Sequence, residues 1–236
     1  MKVGLIQSNF IPWRGYFDFI DDVDLFIYHD DLQYTKGDWR NRNKIKTEKG
    51  TTWLTVPVLH KTSKQLICDT SIDYSQDWIK MAINKICNYY KNARYFKIYA
   101  DDFFTILNKR YQTISELNIN INYWVMDILG IETKIRMSHE FNPVGAKTDR
   151  IIDVLLKVGA SQYLSGPSAK GYLEESKFVR HKIVLMYKDY EYREYSQLFG
   201  QFEPCVSILD MIFNIGVEQI GYWKSNKSTG GDRNGQ

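Results

Sequence analysis

The spacing of apolar residues predicts a chain that alternates strands and helices. Residues 2–7 and 24–28 are short apolar runs typical of buried strands, and residues 16–22 between them have an apolar stripe of helical period. This order indicates a βαβ unit, whose two parallel strands end at the same edge of the sheet. Because open α/β sheets bind ligands at that edge, the loops that follow these strands are candidate sites.

The next part of the chain is predicted to form a β-hairpin. Residues 43–47 and 51–58 are extended segments joined by a three-residue turn that ends at Gly50, which can take the positive φ this turn needs. Residues 65–72 are a candidate for one further strand.

From Trp78 onward the pattern becomes helical, with Asp101 as a candidate cap and a long helix that ends at Gly130. The other predicted elements are strands at 131–137, 162–165 and 183–187, a helix that ends at Gly159 and a helix that begins at Tyr172. Together they predict a single α/β domain, residues 1–224, with a mixed, mostly parallel sheet and helices on its faces. Residues 225–236 are small and polar, which predicts a disordered tail.

Composition narrows the class of protein. The 236 residues are 44% hydrophobic but contain no long apolar run, so we expect no membrane insertion and a cytoplasmic location. The three cysteines have no ligand spacing, so we expect no metal site, and no bound cofactor is signalled. The net charge of +3 is spread along the chain, which argues against a nucleic-acid partner and for a small anionic ligand. The oligomeric state is not indicated.

A basic segment around residues 40–46 is the first candidate site. In an extended chain, Arg40, Arg42, Lys44 and Lys46 would share one face, with Asn41 on the other. Arginine forks and lysine charges match the oxygens of a phosphate or pyrophosphate. The alternative is a solvated edge strand whose charges prevent aggregation.

The loop after the first strand is the second candidate. Gln7 and Asn9 provide amide groups beside the aromatic faces of Trp13 and Tyr16, a combination that suits the hydroxyl groups of a sugar or a base. The alternative is a turn whose aromatic side chains only pack on the core.

Carboxylates and a second loop complete the candidates. Asp30 and Asp31 follow the second strand, and adjacent side chains of an extended chain point to different faces, so we expect only one of them to enter a site. Asp31 is the preferred candidate to accept a proton, although both could instead pair with nearby arginines. Ser165, Gly166 and Lys170 lie in a loop at a predicted helix start, where backbone N–H groups favour anions, but an ordinary turn explains them equally well. None of the four histidines is given a role.

Several segments in order along the chain resemble the WbqC-like protein family, over about residues 2 to 220. The segments that carry the resemblance are residues 7–17, 30–36, 41–46, 53–58, 163–166 and 207–210. Many members have His-Gln-Pro-Asn in the first loop, where this chain has Ile6-Gln7-Ser8-Asn9. The positions that match the family are Gln7, Asn9, Pro12, Trp13, Gly15, Tyr16, Asp31, Gln33, Tyr34, Arg42, Lys44, Ser165 and Gly166.

The resemblance implies a role in O-antigen or related bacterial polysaccharide assembly, including glycans whose amino sugars carry aminoacyl groups. The leading hypothesis is an acyl or aminoacyl transferase, for example a glycyl transferase, that acts on the amine of a nucleotide-linked aminodeoxy sugar. Its donor would be an activated thioester on CoA or a carrier protein, with Asp31 as base and Asn9 near the oxyanion. The alternatives are a nucleotidylyltransferase-like enzyme and a non-enzymatic protein that binds nucleotide sugars.

Overall fold

The computed structural model describes residues 1–218 and 220–225. Apart from Ser225, the predicted tail, residues 225–236, lies outside the described residues. The elements along the chain are β1 (Lys2–Ile6), α1 (Arg14–Asp21), β2 (Leu25–Tyr28), β3 (Arg42–Thr47), β4 (Gly50–Thr55), α2 (Trp78–Tyr90), α3 (Phe96–Asn108), α4 (Ile114–Leu129), β5 (Lys134–Met137), α5 (Lys147–Lys157), β6 (Gln162–Ser165), α6 (Glu175–Arg180), β7 (Val184–Tyr187) and α7 (Ile208–Ile215). Short 3-10 turns span Ser138–Phe141, Pro167–Gly171 and Ile220–Tyr222.

Five strands form a parallel sheet in the order β5-β2-β1-β6-β7. Numbered along the chain, this order reads 3-2-1-4-5, which is the order of a doubly wound nucleotide-binding sheet. Along the chain, β2 and β5 are added on one side of β1, and β6 and β7 are then added on its other side. The direction in which successive strands are added therefore reverses between β1 and β6. The prediction of a single, mostly parallel α/β domain is confirmed, with the antiparallel pair β3-β4 as a separate two-stranded sheet.

Helices cover both faces of the parallel sheet, as such sheets require. Val3 and Leu5 of β1 pack into one core together with α5, whereas Phe26 of β2 belongs to the larger core on the other face. Gly4 lies between them in β1, where an added Cβ would come within 2.4 Å of Cε1 of Phe19. Glycine at this position therefore allows α1 to pack closely on the sheet.

The helix boundaries partly match the predictions. The long helix α4 ends at Gly130, whose φ of 68° is left-handed, as predicted. Asp101 does not cap a helix, because it lies inside α3. The cap of α2 is Asp77, whose carboxylate accepts a hydrogen bond from the Lys80 N–H at 3.3 Å.

The predicted hairpin is confirmed, but its turn is one residue shorter. Thr47 pairs directly with Gly50, whose φ is 107°, so only two residues connect the strands. Residues 65–72 do not form a strand, because they pair with three separate segments through isolated bridges and build no continuous ladder.

The loop after β6 also differs from its prediction. No helix begins at Tyr172, because Pro167–Gly171 winds into a 3-10 turn and the next helix, α6, starts at Glu175. The hydroxyl oxygen of Thr148 accepts the Glu174 N–H at 3.2 Å and fixes this start against α5.

Candidate functional site

A cleft of about 390 Å³ opens at the edge of the sheet where the parallel strands end. It lies where the direction of sheet building reverses, since Gln7 directly follows β1 and Ser165 ends β6. Open α/β sheets bind ligands at this point. The other lining residues are Leu5, Ile6, His29, Leu32, Arg40, Lys147, Arg150, Ile151, Tyr163, Gly166, Ser168, Ala169 and Tyr172.

Arg40 is fixed at the wall of this cleft. Its guanidinium donates to Oε1 of Gln7 and lies 3.6 Å from the carboxylate of Asp38. Its carbonyl oxygen accepts a hydrogen bond of 2.8 Å from Nδ2 of Asn118 on α4. The residue is 8% exposed, and its buried Nε has no hydrogen-bond partner among the described residues.

The first turn of α5 brings two further cations to the cleft. Lys147 begins the helix with a φ of 51°, a conformation that non-glycine residues rarely adopt and that is often found at functional sites. Arg150 donates to Asp31 at 2.6 Å and to the Pro143 carbonyl at 2.8 Å. Among the described residues Lys147 has no ion-pair partner, so the cleft carries excess positive charge that favours an anion.

His29 contributes a neutral imidazole to the same cleft. The residue is 6% exposed, and this burial lowers its pKa from 6.5 to about 4, although the carboxylate of Asp31 acts in the opposite direction. Nε2 lies 3.7 Å from Asp31 and makes no hydrogen bond within the described residues. The imidazole is therefore neutral at pH 7.

The two adjacent carboxylates after β2 point into different surroundings, as expected for an extended chain. Asp30 is buried, accepts the Ser8 N–H at 2.7 Å and the hydroxyl of Ser115, and burial raises its pKa. Asp31 accepts hydrogen bonds from the Ser138 hydroxyl and from Arg150. Neither carboxylate lines the cleft; Asp31 pairs with Arg150 and lies 3.7 Å from Nε2 of His29.

A second cavity of about 280 Å³ is lined by Asn9, Pro12, Trp13, Trp39, Asn43 and Cys205, and we call it the indole cavity. The turn between Asn9 and Pro12 is strained, because Ile11 has a φ of 43° and is fully buried. The Asn43 amide holds this turn by donating to the carbonyls of Phe10 and Ile11. Gly15 leaves room for Trp13, since an added Cβ would lie 2.3 Å from the indole.

The predicted face of four cations does not form. Arg40 precedes β3 and enters the cleft, whereas Arg42 and Lys44 lie 4.2 and 5.2 Å from the ring of Trp53. Lys46 is buried and donates to the side chain of Gln197 and to the Gln201 carbonyl. Arg42 and Lys44 thus share the ring of Trp53, Lys46 is buried elsewhere, and only Arg40 of the four reaches the cleft.

Other predicted site residues have structural contacts. Tyr16 and Tyr34 are buried in the core, and the Tyr16 hydroxyl donates to the Gln7 carbonyl at 3.0 Å. Asn41 donates to the Val56 carbonyl at 2.8 Å, so its amide joins the hairpin to the preceding loop. Gln33 is exposed outside both cavities.

Among the predicted ligand-binding residues, the cleft brings together Gln7, Arg40, Ser165 and Gly166, and the indole cavity brings together Asn9 and Trp13. Lys170 of the second loop lies 5.1 Å from the ring of Tyr187 and lines neither cavity.

Three important residues were missed by the sequence reasoning. His29 directly follows β2, beside the two aspartates, and this position was a usable signal. Lys147 and Arg150 are three residues apart at the start of a helix and therefore share a face. No local pattern indicates that this face points at the carboxyl ends of β1 and β6.

In the part of the chain that the structure describes, no helix has both the length and the apolar character needed to span a bilayer. The His, Cys, Asp and Glu side chains of that part form no group of three or more that could hold a metal ion.

Comparison with known proteins identifies relatives of this chain. The model of the WbqC-like protein family matches residues 7–222. The "Uncharacterized protein Rv1507c" of Mycobacterium tuberculosis is 44% identical over 224 residues, which are 94% of this chain and 96% of that protein. No solved structure matches significantly. The chain therefore belongs to the WbqC-like protein family.

Proposed function

We propose that this protein is a cytoplasmic acyl or aminoacyl transferase that forms an amide on the amine of a nucleotide-linked aminodeoxy sugar in O-antigen or related glycan biosynthesis. The observation that carries the proposal is a cleft that combines three cations with a buried, neutral imidazole at the reversal point of a parallel sheet. Cations there suit the phosphates of the substrate, and the imidazole suits the proton transfer that an amine nucleophile requires.

The phosphates of the substrate would occupy the side of the cleft formed by Arg40, Lys147 and Arg150. Arg40 approaches from the loop before the hairpin and Arg150 from α5, so the two guanidiniums reach the cleft from different elements. Two guanidiniums and one ammonium can neutralise a diphosphate and fix its orientation. This placement leaves the sugar beside His29.

The reaction forms one C–N bond and breaks one C–S bond. The sugar amine attacks the thioester carbonyl, and Nε2 of His29 accepts the proton that the nitrogen loses. When the tetrahedral intermediate collapses, the thiolate leaves and takes up this proton. Ser165 lies in the cleft and is better placed than Asn9 to donate to the oxyanion, because Asn9 lines the indole cavity.

This assignment moves the base from Asp31 to His29. Asp31 already accepts hydrogen bonds from Ser138 and Arg150, whereas Nε2 of His29 has no hydrogen-bond partner among the described residues. Burial is the main cause of the low pKa of His29, and the charge of Arg150 lowers that pKa further. A bound diphosphate would offset the charge of Arg150. Substrate binding would thereby bring the pKa of the base closer to neutral, where proton acceptance is most effective.

The test is transfer of acyl and aminoacyl groups from thioester and aminoacyl donors to purified nucleotide-linked amino sugars, followed by mass spectrometry. His29→Gln should lower kcat by about 10²- to 10⁴-fold, the usual contribution of a general base. His181→Gln is the matched control, because His181 is exposed and lines neither cavity. Absence of product with every donor and acceptor would refute the transferase, and an unchanged rate in His29→Gln would refute the base.

Nucleotidylyl transfer is the second candidate, and the 3-2-1-4-5 strand order favours it because this order is typical of nucleotide-binding sheets. Release of pyrophosphate from a nucleoside triphosphate in the presence of a sugar phosphate would establish this reaction in place of acyl transfer. Binding of nucleotide sugars without turnover in either assay would instead support a binding or assembly role.

A further inference from the structure

The indole cavity and the cleft are built from the same two stretches of chain. In the first loop Gln7 lines the cleft and Asn9 lines the indole cavity. In the segment before β3, Arg40 lines the cleft and Trp39 lines the indole cavity. The Phe10 N–H also donates to the Trp39 carbonyl at 2.9 Å, which joins the two stretches. Trp39 and Arg40 are consecutive, and only Ser8 separates Gln7 from Asn9, so the walls of the two cavities are formed by adjacent residues of the chain.

We propose that the indole cavity is the subsite for the nucleobase of the ligand whose phosphates lie in the cleft. The proposal deepens the proposed function and rests on it for the phosphate position. At about 280 Å³ the cavity is near the lower limit of about 300 Å³ for ligand pockets, so it suits one ring system and not a whole nucleotide sugar.

The chemistry of the walls favours a flat base. Trp13 and Trp39 both line the cavity, and Trp13 also makes edge contacts with Tyr190 and Tyr192. Trp39 is 42% exposed although it contacts the ring of Trp53 at a centroid distance of 5.5 Å. Aromatic side chains stack on any of the nucleobases, because every base has a flat π-face. Pro12 adds a further apolar wall.

The polar groups favour a base over a sugar ring. Asn43 lines the cavity, but its amide already donates to two carbonyls and accepts the Lys44 N–H. The Asn9 amide differs, because its Oδ1 is buried and has no hydrogen-bond partner in the described part of the chain. The Oδ1 atom of Asn9 can accept one hydrogen bond from an N–H group on an edge of a base. The several hydroxyls of a sugar would lose their water partners there without replacement.

The experiment compares the affinity of inorganic pyrophosphate with that of the adenosine, guanosine, cytidine, uridine and thymidine diphosphates, by calorimetry on the full chain. Pyrophosphate would fill only the cleft. The ratio of its dissociation constant to that of each nucleoside diphosphate therefore isolates the contribution of the nucleoside. At least one nucleoside diphosphate should bind about tenfold or more tightly than pyrophosphate, as expected for one stacked base.

Two variants locate that advantage. Trp39→Leu and Asn9→Leu should each abolish most of the affinity advantage of the nucleoside diphosphate and leave pyrophosphate affinity unchanged. Tyr123→Leu is the control, because it removes a comparably exposed aromatic ring (46% exposed) outside both cavities, and it should preserve the advantage. Circular dichroism confirms that each variant is folded. Should Trp39→Leu not fold, Asn9→Leu carries the same comparison.

The outcomes separate this inference from the proposed function. Pyrophosphate binding with no advantage for any nucleoside diphosphate overturns the base subsite and leaves the phosphate cleft standing. An advantage that survives both substitutions also overturns the inference, because the base then lies elsewhere. Failure of pyrophosphate and of every nucleoside diphosphate to bind overturns the inference and the proposed phosphate cleft together.

Discussion

The buried imidazole of His29 makes the stability of this protein depend on pH in a defined window. Burial lowers its pKa from 6.5 to about 4; Asp31 raises the pKa and Arg150 lowers it. The same imidazole titrates near 6.5 in the unfolded chain. The neutral form is thus favoured by folding, so its contribution to stability is fully present above about pH 6.5 and is lost as the pH falls through about 4.

The size of the effect follows from the difference between the two pKa values. A shift from 6.5 to about 4 corresponds to about 3 kcal/mol of unfolding free energy at the acid end of this window. The assay is urea unfolding at a series of pH values from 7.5 to 4, with His29→Gln as the perturbation. Since glutamine does not titrate, the variant should lose less stability than the wild type on acidification, by up to about 3 kcal/mol.

Two comparisons make this prediction strict. His181→Gln removes an exposed histidine and should follow the wild-type curve across the whole range. Buried Asp30, whose pKa is raised, titrates in both proteins and therefore cancels in the difference. If the free energies of unfolding of the wild type and His29→Gln fell in parallel with pH, burial would not hold the imidazole neutral. The assignment of His29 as a neutral base would then be refuted.

Three further predictions concern the cleft, the sheet and a helix start. Arg150→Met should weaken pyrophosphate binding by about tenfold or more in calorimetry, because it removes a charge-assisted bond of about 1.5–3 kcal/mol; unchanged affinity would place the anion elsewhere. Gly4→Ala should lower the free energy of unfolding by about 1–3 kcal/mol through overpacking against Phe19, whereas Gly171→Ala, with open space around it and no positive φ, should not. Thr113→Ala should lower the free energy of unfolding, measured with a chemical denaturant, by about 0.5–2 kcal/mol, because Thr113 caps α4. An unchanged free energy of unfolding would show that this cap does not stabilise the protein.

Much of the fold was predictable because local pattern and tertiary environment agree. The strands β1 and β2 are short apolar runs because both their faces are covered, and Gly130 ends α4 because it takes the left-handed conformation. The segment 65–72 was misread because its apolar residues are buried as isolated bridges between other segments. A one-dimensional pattern reports burial, but it does not report whether a neighbouring strand is present.

The site was less predictable because it is assembled from distant parts of the chain. The loop after β1 and Ser165 could be chosen from the rule that ligands bind where parallel strands end. Arg150 could not, since its approach to Asp31 depends on the position of α5 behind the sheet. The basic segment was recognised, and Arg42 and Lys44 do share a face over Trp53. Arg40 does not belong to that face because it lies before the strand.

The buried contacts of Asn118 have a consequence for how the site opens. Its Nδ2 donates both to the hydroxyl of Ser8, at 3.2 Å, and to the carbonyl of Arg40, at 2.8 Å. Both walls shared by the two cavities are thereby attached to the second turn of the long helix α4, whereas binding loops often belong to the least stable part of a protein. Backbone amides around these walls should exchange with deuterium as slowly as those of α4. A ligand would then meet a surface that is already ordered, and little of its binding energy would go into arranging the loops.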